Sequence, residues 1–295
     1  KADLVTGMVG EFPEVQGIMG REYALLEGKS PEVAQAIAEH YLPTQAGGEL
    51  PVSDIGALVS LADKLDTICG CFGVGLIPTG TADPYALRRS TLGIIAIILD
   101  RGYRISVDSL IGRALDLLAP KLTRKRDEVA ADVTDFFRTR FTNLMAGRYP
   151  ADVVEAVVAA ASDDLVEAAA KIEALAAFKS RPDFEPLAVA FKRVGNIVKS
   201  GVESPVDPAL FQAPAEGLLH DAFLSLQQRV NTAVASRDYS KALSEIATLR
   251  EPVDRFFADV MVMAEDPKVR ENRLALLTQI MRLFAGIADF TKISA

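Results

Sequence analysis

The chain has 295 residues, 49% hydrophobic and 24% charged, with two cysteines and a formal net charge of −8. That length exceeds an ordinary single domain and predicts two compact units, each able to bury its own core. The longest apolar run, LGIIAIIL from Leu92 to Leu99, falls well short of the roughly 18 residues of a membrane span, which excludes a membrane anchor, and the acidic balance excludes indiscriminate nucleic-acid binding, which rests on phosphate neutralisation.

Helical periodicity runs through almost every segment. The opening residues KADLVTGMV read as helix interior rather than as a leader, and with no initiator Met the chain is expected to be a piece of something longer. Ser30 and Pro31 predict the cap and first turn of a helix with Val33, Ala34, Ile37, Ala38 and Tyr41 on one face, ending before Pro43. From Ser53 a second stripe follows, Leu58, Leu61, Ala62, Leu65, Cys69 and Phe72, with Asp63 and Lys64 assigned to the opposite side. Asp83 and Pro84 predict a helix start, since the carboxylate can take free first-turn N–H groups and proline fits the next position. That helix is expected to run to Arg101 and stop at Gly102. Another follows Ser106, carrying Val107, Leu110, Ile111, Ala114, Leu115 and Leu118 before Pro120.

The basic KLTRKR (Lys121 to Arg126) opens a helix with Val129, Val133, Phe136, Phe137, Phe141 and Leu144, broken by Gly147 and Pro150. Two alanine- and valine-rich helices lead to Phe178, and the turn-rich residues 179–183 predict a domain junction. Beyond it, Leu187, Ala190, Phe191, Val194 and Val198 line one helix and Leu219, Phe223, Leu226 and Val230 another, separated by the proline-broken ESPVDPALFQAP. Two last helices carry Val253, Phe256, Phe257, Val260, Met261 and Ala264, then Leu274, Leu277, Met281, Phe284 and Ala288, closing a bundle. No strand pattern or solenoid repeat is visible, so the expected class is all-α, divided into residues 1–120, 121–180 and 181–295. Charge is uneven along this order. Residues 1–100 hold 6 Lys/Arg against 13 Asp/Glu and residues 101–150 hold 10 against 6, so any RNA contact is expected to be local and shaped.

Three stretches carry a resemblance: LVTGMVGEFPEVQGIMG (Leu4 to Gly20), LADKLDT (Leu61 to Thr67) and GCFGVGLIPTGTADPYALRR (Gly70 to Arg89). Together they resemble the β subunit of bacterial heterotetrameric glycyl-tRNA synthetase. AFKRVGNIVK (Ala190 to Lys199), RLALL from Arg273 and ADF (Ala288 to Phe290) resemble the DALR-type anticodon-binding domain of several synthetases. The resemblance implies an HD-like helical domain over 1–120, a helical connection over 121–180 and an anticodon-binding domain over 181–295, within a cytoplasmic protein. It also implies a tRNA-binding part that supports ATP-dependent glycylation of tRNA(Gly), its partners being the α subunit and tRNA(Gly) and no membrane. ATP and Mg would be used by the α subunit, with no cofactor and no catalytic residue on this chain, which alone would be inactive.

A divergent HD-type metal phosphohydrolase is the alternative enzyme reading, and a helical interaction scaffold the third. Metal hydrolysis needs imidazoles and carboxylates converging on an ion, whereas this chain has Glu39-His40 and scattered Asp63 and Asp66. His40 is therefore read as a helix-end residue bonding a terminal carbonyl, and no metal ligand is assigned. Gly73, Gly75 and Gly80 follow a helix rather than a strand, which argues against a dinucleotide fingerprint. The helix start after Asp83, with Arg88 and Arg89 one turn in, is a candidate anion site; the alternative is that both arginines pair with nearby carboxylates. Cys69 and Cys71 have no flanking basic group to favour a thiolate and read as core and loop residues, and His220-Asp221 shows no nucleophile–base spacing. The candidate tRNA face is Lys192, Asn196 and Lys199 at i, i+4 and i+7 with Arg193 beside it, joined by Arg270 and Arg273 at the entrance to the final helix; the alternative for such charges is a plain solvated surface. Exposed bases of single-stranded loops suit such basic and amide groups.

Overall fold

The computed structural model describes residues 1–160, 163–182, 184–198 and 202–294. Among them there is no strand, and the chain is all-α apart from two isolated β-bridges. Packing divides it into two compact units, Lys1–Asn143 with Asp163–Val166, and Leu144–Ser162 with Glu167–Ala295. The division falls near the end of one long helix, and the segment 121–143 belongs to the first unit.

The first unit contains α1 (Gly7–Glu11), α2 (Ile18–Leu26), α3 (Pro31–Glu39), α4 (Asp54–Gly73), α5 (Leu87–Arg101), α6 (Val107–Leu118) and most of α7 (Arg126–Ala146). Three of these begin where a serine requires it. Ser30, Ser53 and Ser106 accept from the N–H groups of Val33, Gly56 and Ser109 at 3.4, 2.9 and 2.9 Å, each filling an orphan first-turn donor. α4 packs against α3, α5 and α6, burying Ala57, Leu61, Leu65, Ile68, Cys69 and Phe72. The Phe72 ring meets Phe136 of α7 edge-on at 5.0 Å; burying a side chain of this size is worth about 1.5–3 kcal/mol.

Several predicted positions are corrected. α5 begins at Leu87, three residues after the predicted start, because Ala86 adopts φ 53° and breaks the turn opened by Asp83. Val33 and Leu58, assigned to core stripes, are exposed, and Lys64, assigned outward, is only 7% exposed. α4 buries residues 57, 60, 61, 64, 65, 68, 69 and 72, so Lys64 sits in the middle of its stripe.

The second unit holds α8 (Ala151–Ala159), α9 (Leu165–Lys179, apart from its first two residues), α10 (Phe184–Ile197), α11 (Pro214–Ala235), α12 (Tyr239–Ala247), α13 (Arg250–Asp259) and α14 (Pro267–Ala285). The sequence periodicity had not resolved α12, a helix of nine residues burying Tyr239, Ala242, Leu243 and Ile246. α11 packs on α12, α13 and α14, while α10 packs on α13, α14 and a 3-10 turn at Phe290–Lys292. Phe284 lies between Phe191 and Phe290, with ring centroids 4.0 and 4.8 Å away. Gly195 lets that turn approach: a Cβ there would stand 2.8 Å from the Thr291 methyl. Met261, predicted inward, is 78% exposed.

Candidate nucleic-acid interface

α10 presents the predicted RNA face because its apolar residues go the other way. Leu187, Ala190, Phe191 and Val194 are buried, which turns Lys192, Arg193 and Asn196 to the surface. The Arg193 guanidinium lies 4.2 Å over the half-buried Phe257 ring, an arrangement that holds the cation flat by cation–π attraction while leaving N–H donors at its edge for phosphate. Phe257 is thus less a core residue than a platform. Lys199 lies outside the described residues.

The other two arginines assigned to this face are placed differently. Arg270 is half-buried and donates from Nη1 to the Ala264 carbonyl at 3.0 Å, which ties down the loop before α14. Arg273 is corrected outright: it is 6% exposed and its guanidinium is used inside the bundle. Nε donates to Glu216 Oε1 at 2.8 Å, Nη1 to the Met261 carbonyl at 2.9 Å, and Nη2 to Gln212 Oε1 at 3.2 Å and Glu216 Oε2 at 3.3 Å. Glu216 in turn accepts from the N–H groups of Gln212 and Ala213, both at 2.8 Å, closing the start of α11. The neighbouring Asn272 clamps the preceding loop, accepting from Asp207 N and donating to Asp207 O at 2.7 and 3.0 Å. The Asn272-Arg273 pair is an internal fastener. Pro214 and Glu216 at the first and third helical positions were the readable signal, since a glutamate there reaches back to the free N–H groups before it.

In the first unit, the candidate anion site at the start of α5 is filled by the chain itself. Asp83 Oδ1 accepts from Leu87 N at 2.8 Å and Oδ2 from Arg88 N at 2.9 Å, so its carboxylate occupies the position an anion would take. Arg88 donates from Nη2 to the Gly80 carbonyl at 2.7 Å. Arg89 is exposed at the edge of a cavity of about 590 Å³ that also reaches Tyr41, Thr67 and Tyr85.

Glu39 and His40 stand where the phosphohydrolase reading needs ligands, and both are engaged elsewhere. The 2%-exposed Glu39 carboxylate accepts from Ser53 N at 3.0 Å, Val52 N at 3.2 Å, Gln35 Nε2 at 2.8 Å and the Ser53 hydroxyl. Burial raises its pKa, but these donors outweigh burial and hold it below the ordinary glutamate value. His40 donates from Nδ1 to the Ile37 carbonyl at 2.7 Å, an oxygen that can only accept; burial pushes its pKa down and favours the neutral ring. Lys64 Nζ donates to the carbonyls of His40, Tyr41 and Leu42 at 3.2, 3.3 and 2.9 Å and to Ser60 Oγ at 2.8 Å. This sink for the carbonyls after α3 had no counterpart in the sequence reading. Cys69 is fully buried, a core residue, and that burial pushes its thiol up to about 12. Among the described residues, no group of three or more His, Cys, Asp or Glu is placed to hold a metal ion, and no helix is long and apolar enough to cross a membrane.

Residues 187–295, which hold most of α10 and the helices that follow it, match the family model described as DALR anticodon binding domain. Residues 1–159, more than half of the chain, match the model described as glycyl-tRNA synthetase beta subunit. The chain belongs to the glycyl-tRNA synthetase beta subunit family. It is 70% identical to the glycine–tRNA ligase beta subunit of Geobacter metallireducens, 68% to that of Citrifermentans bemidjiense and 60% to that of Syntrophotalea carbinolica, each over the whole of this chain. It spans 43% of the length of each of these relatives.

Proposed function

We propose that this chain is the tRNA-binding part of the β subunit of a heterotetrameric glycine–tRNA ligase, supporting ATP-dependent glycylation of tRNA(Gly) at a site on the α subunit. The observation that carries the reading is the exposed Lys192, Arg193 and Asn196 face of α10, lying inside the residues that match an anticodon-binding domain. Lys192 and Arg193 would position phosphates of the anticodon arm, and the Asn196 carboxamide offers a donor and an acceptor to a base edge. The partners are then tRNA(Gly) and the α subunit, in the cytoplasm. ATP and Mg belong in this scheme to the α subunit, so the chain alone forms no glycyl-adenylate.

The test is a titration with tRNA(Gly) and anticodon-altered versions across a range of salt. Each phosphate contact on single-stranded RNA contributes about 0.7 to the slope of log affinity against log salt, so Lys192→Ala with Arg193→Ala should flatten the slope by about 1.4. An unchanged slope and affinity would remove α10 as the RNA face, and failure of the parent chain to prefer tRNA(Gly) would remove the reading altogether.

A further inference from the structure

Resting on the anticodon-binding reading, we infer that the groove between α11 and α14 is a base-reading pocket, in which Gln227, Asn231 and Gln279 read the hydrogen-bonding edge of one unstacked base of single-stranded RNA. The groove has a volume of about 550 Å³, within the range that encloses small ligands. Its wall on α11 is a single helical stripe, since positions 220, 223, 224, 227 and 231 follow one another at the three- and four-residue spacing of one face. On α14, Gln279, Arg282 and Leu283 line the opposite side, and Pro205 and Val206 lie at its margin.

The lining has the two halves that a base requires. Phe223 and Leu283, 3% and 8% exposed, form an apolar floor, and Leu224, 52% exposed beside them, offers a surface for the face of a ring. Gln227, Asn231 and Gln279 are the polar half. None of the three side chains hydrogen-bonds another described residue; Gln227 and Asn231 are exposed and Gln279 is half-buried, so three carboxamides, each with donors and an acceptor, line one apolar-floored groove and are open to a ligand that displaces water. Amides suit a base edge, whose pattern mixes donors and acceptors. A phosphate cradle would instead demand several cations, and Arg282 is the one permanently charged cation in a lining whose other basic group is His220. Arg282 pairs only loosely, Nη2 to Glu203 Oε1 at 3.2 Å with both side chains more than half exposed, which leaves it free to turn to the phosphate attached to the bound base.

The experiment is equilibrium binding of the whole chain to the anticodon stem-loop of tRNA(Gly), and to stem-loops with one anticodon base changed at a time. Gln227→Ala with Asn231→Ala should weaken the parent stem-loop about tenfold, the equivalent of one to two lost hydrogen bonds, and bring the altered loops level with it while leaving the salt slope unchanged. Arg282→Ala should flatten the slope by about 0.7. Because these side chains have no internal hydrogen-bond partner, the amide variants should melt with the parent, and Gln279→Ala on the other wall supplies an independent readout. If the parent discriminates among loops and both amide variants keep its affinity and discrimination, the groove is not the base pocket, although the anticodon-binding reading stands. If the parent binds the cognate loop no better than a scrambled hairpin, that reading falls and this one with it.

Discussion

Replacing Arg273 by alanine should unfold the second unit more easily and leave the RNA surface intact. The guanidinium makes four hydrogen bonds, two of them to Glu216 at 2.8 and 3.3 Å, and the Glu216 side chain is 1% exposed. Removing the cation strands a buried carboxylate whose remaining donors are the N–H groups of Gln212 and Ala213. Breaking such a pair from one side costs about 3–5 kcal/mol. At about 2–4 °C per kcal/mol for a unit of this size, the melting transition should fall by about 6–20 °C at neutral pH. The pH dependence gives a second check. Burial raises the Glu216 pKa, but Arg273 and the two backbone donors outweigh it, and the folded value lies below the ordinary one. A depressed carboxyl stabilises the fold above its unfolded pKa of about 4.3 and loses that contribution as pH falls through the folded value. The deficit of Arg273→Ala should therefore be largest near neutrality and shrink in acid, where a protonated Glu216 no longer needs a counter-charge. Calorimetry across that range measures both, and Glu216→Leu with Arg273→Met should recover much of the loss, since apolar replacement of a buried pair is often neutral. A variant that melts with the parent yet loses RNA affinity in a salt-dependent way would refute the internal role and return Arg273 to the surface.

Two predictions concern the first unit. Lys64→Met keeps the aliphatic stem but leaves the carbonyls of His40, Tyr41 and Leu42 without their ammonium donor, and should cost about 2–4 kcal/mol at the rate for buried unsatisfied groups, read as a lower denaturation midpoint; an unchanged midpoint would mean water replaces the ammonium. Burial pushes Lys64 down to about 8 against about 10.4 unfolded, so between about pH 8 and about pH 10.4 the unfolded chain binds more protons and stability should rise with pH, a trend absent from the variant. Gly56→Ala would put a Cβ 2.2 Å from Glu39 Oε2 and 2.9 Å from Ser53 Oγ. The helix-propensity gain of about 1 kcal/mol should be outweighed by overpacking of about 1–3 kcal/mol and by disruption of the Glu39 bonds, giving a lower melting temperature, and a more stable variant would show that α3 and α4 can part there without cost.

The all-α class and most helix boundaries were legible because they depend on local chemistry: a serine or aspartate that fills first-turn donors, a glycine at positive φ after Arg101, apolar residues at helical spacing. What was not legible followed from tertiary packing. Ala86 gives no sequence sign that it will adopt a left-handed conformation, and it delays α5 by three residues. The compact units divide within α7, because a continuous helix carries no composition shift where its packing partners change.

Charge was the most misleading signal, and Lys64 and Arg273 show why. In α14 the buried positions 269, 272, 273, 276, 277, 280, 283 and 284 form one stripe, with 275 and 278 buried outside it, and Arg273 lies in that stripe as Lys64 lies in the stripe of α4. A charged residue was assigned to the surface in both cases, although its spacing put it inside. Position on the stripe is fixed by helix geometry, whereas a long basic side chain can find carbonyls or a carboxylate wherever it is placed, so spacing outranks charge. Applied to α10, the same rule keeps Lys192, Arg193 and Asn196 outside, since they fall between the buried positions 187, 188, 190, 191 and 194. The basic residues available to RNA on this unit are therefore those that the apolar pattern excludes from the core, and Arg273 is not among them.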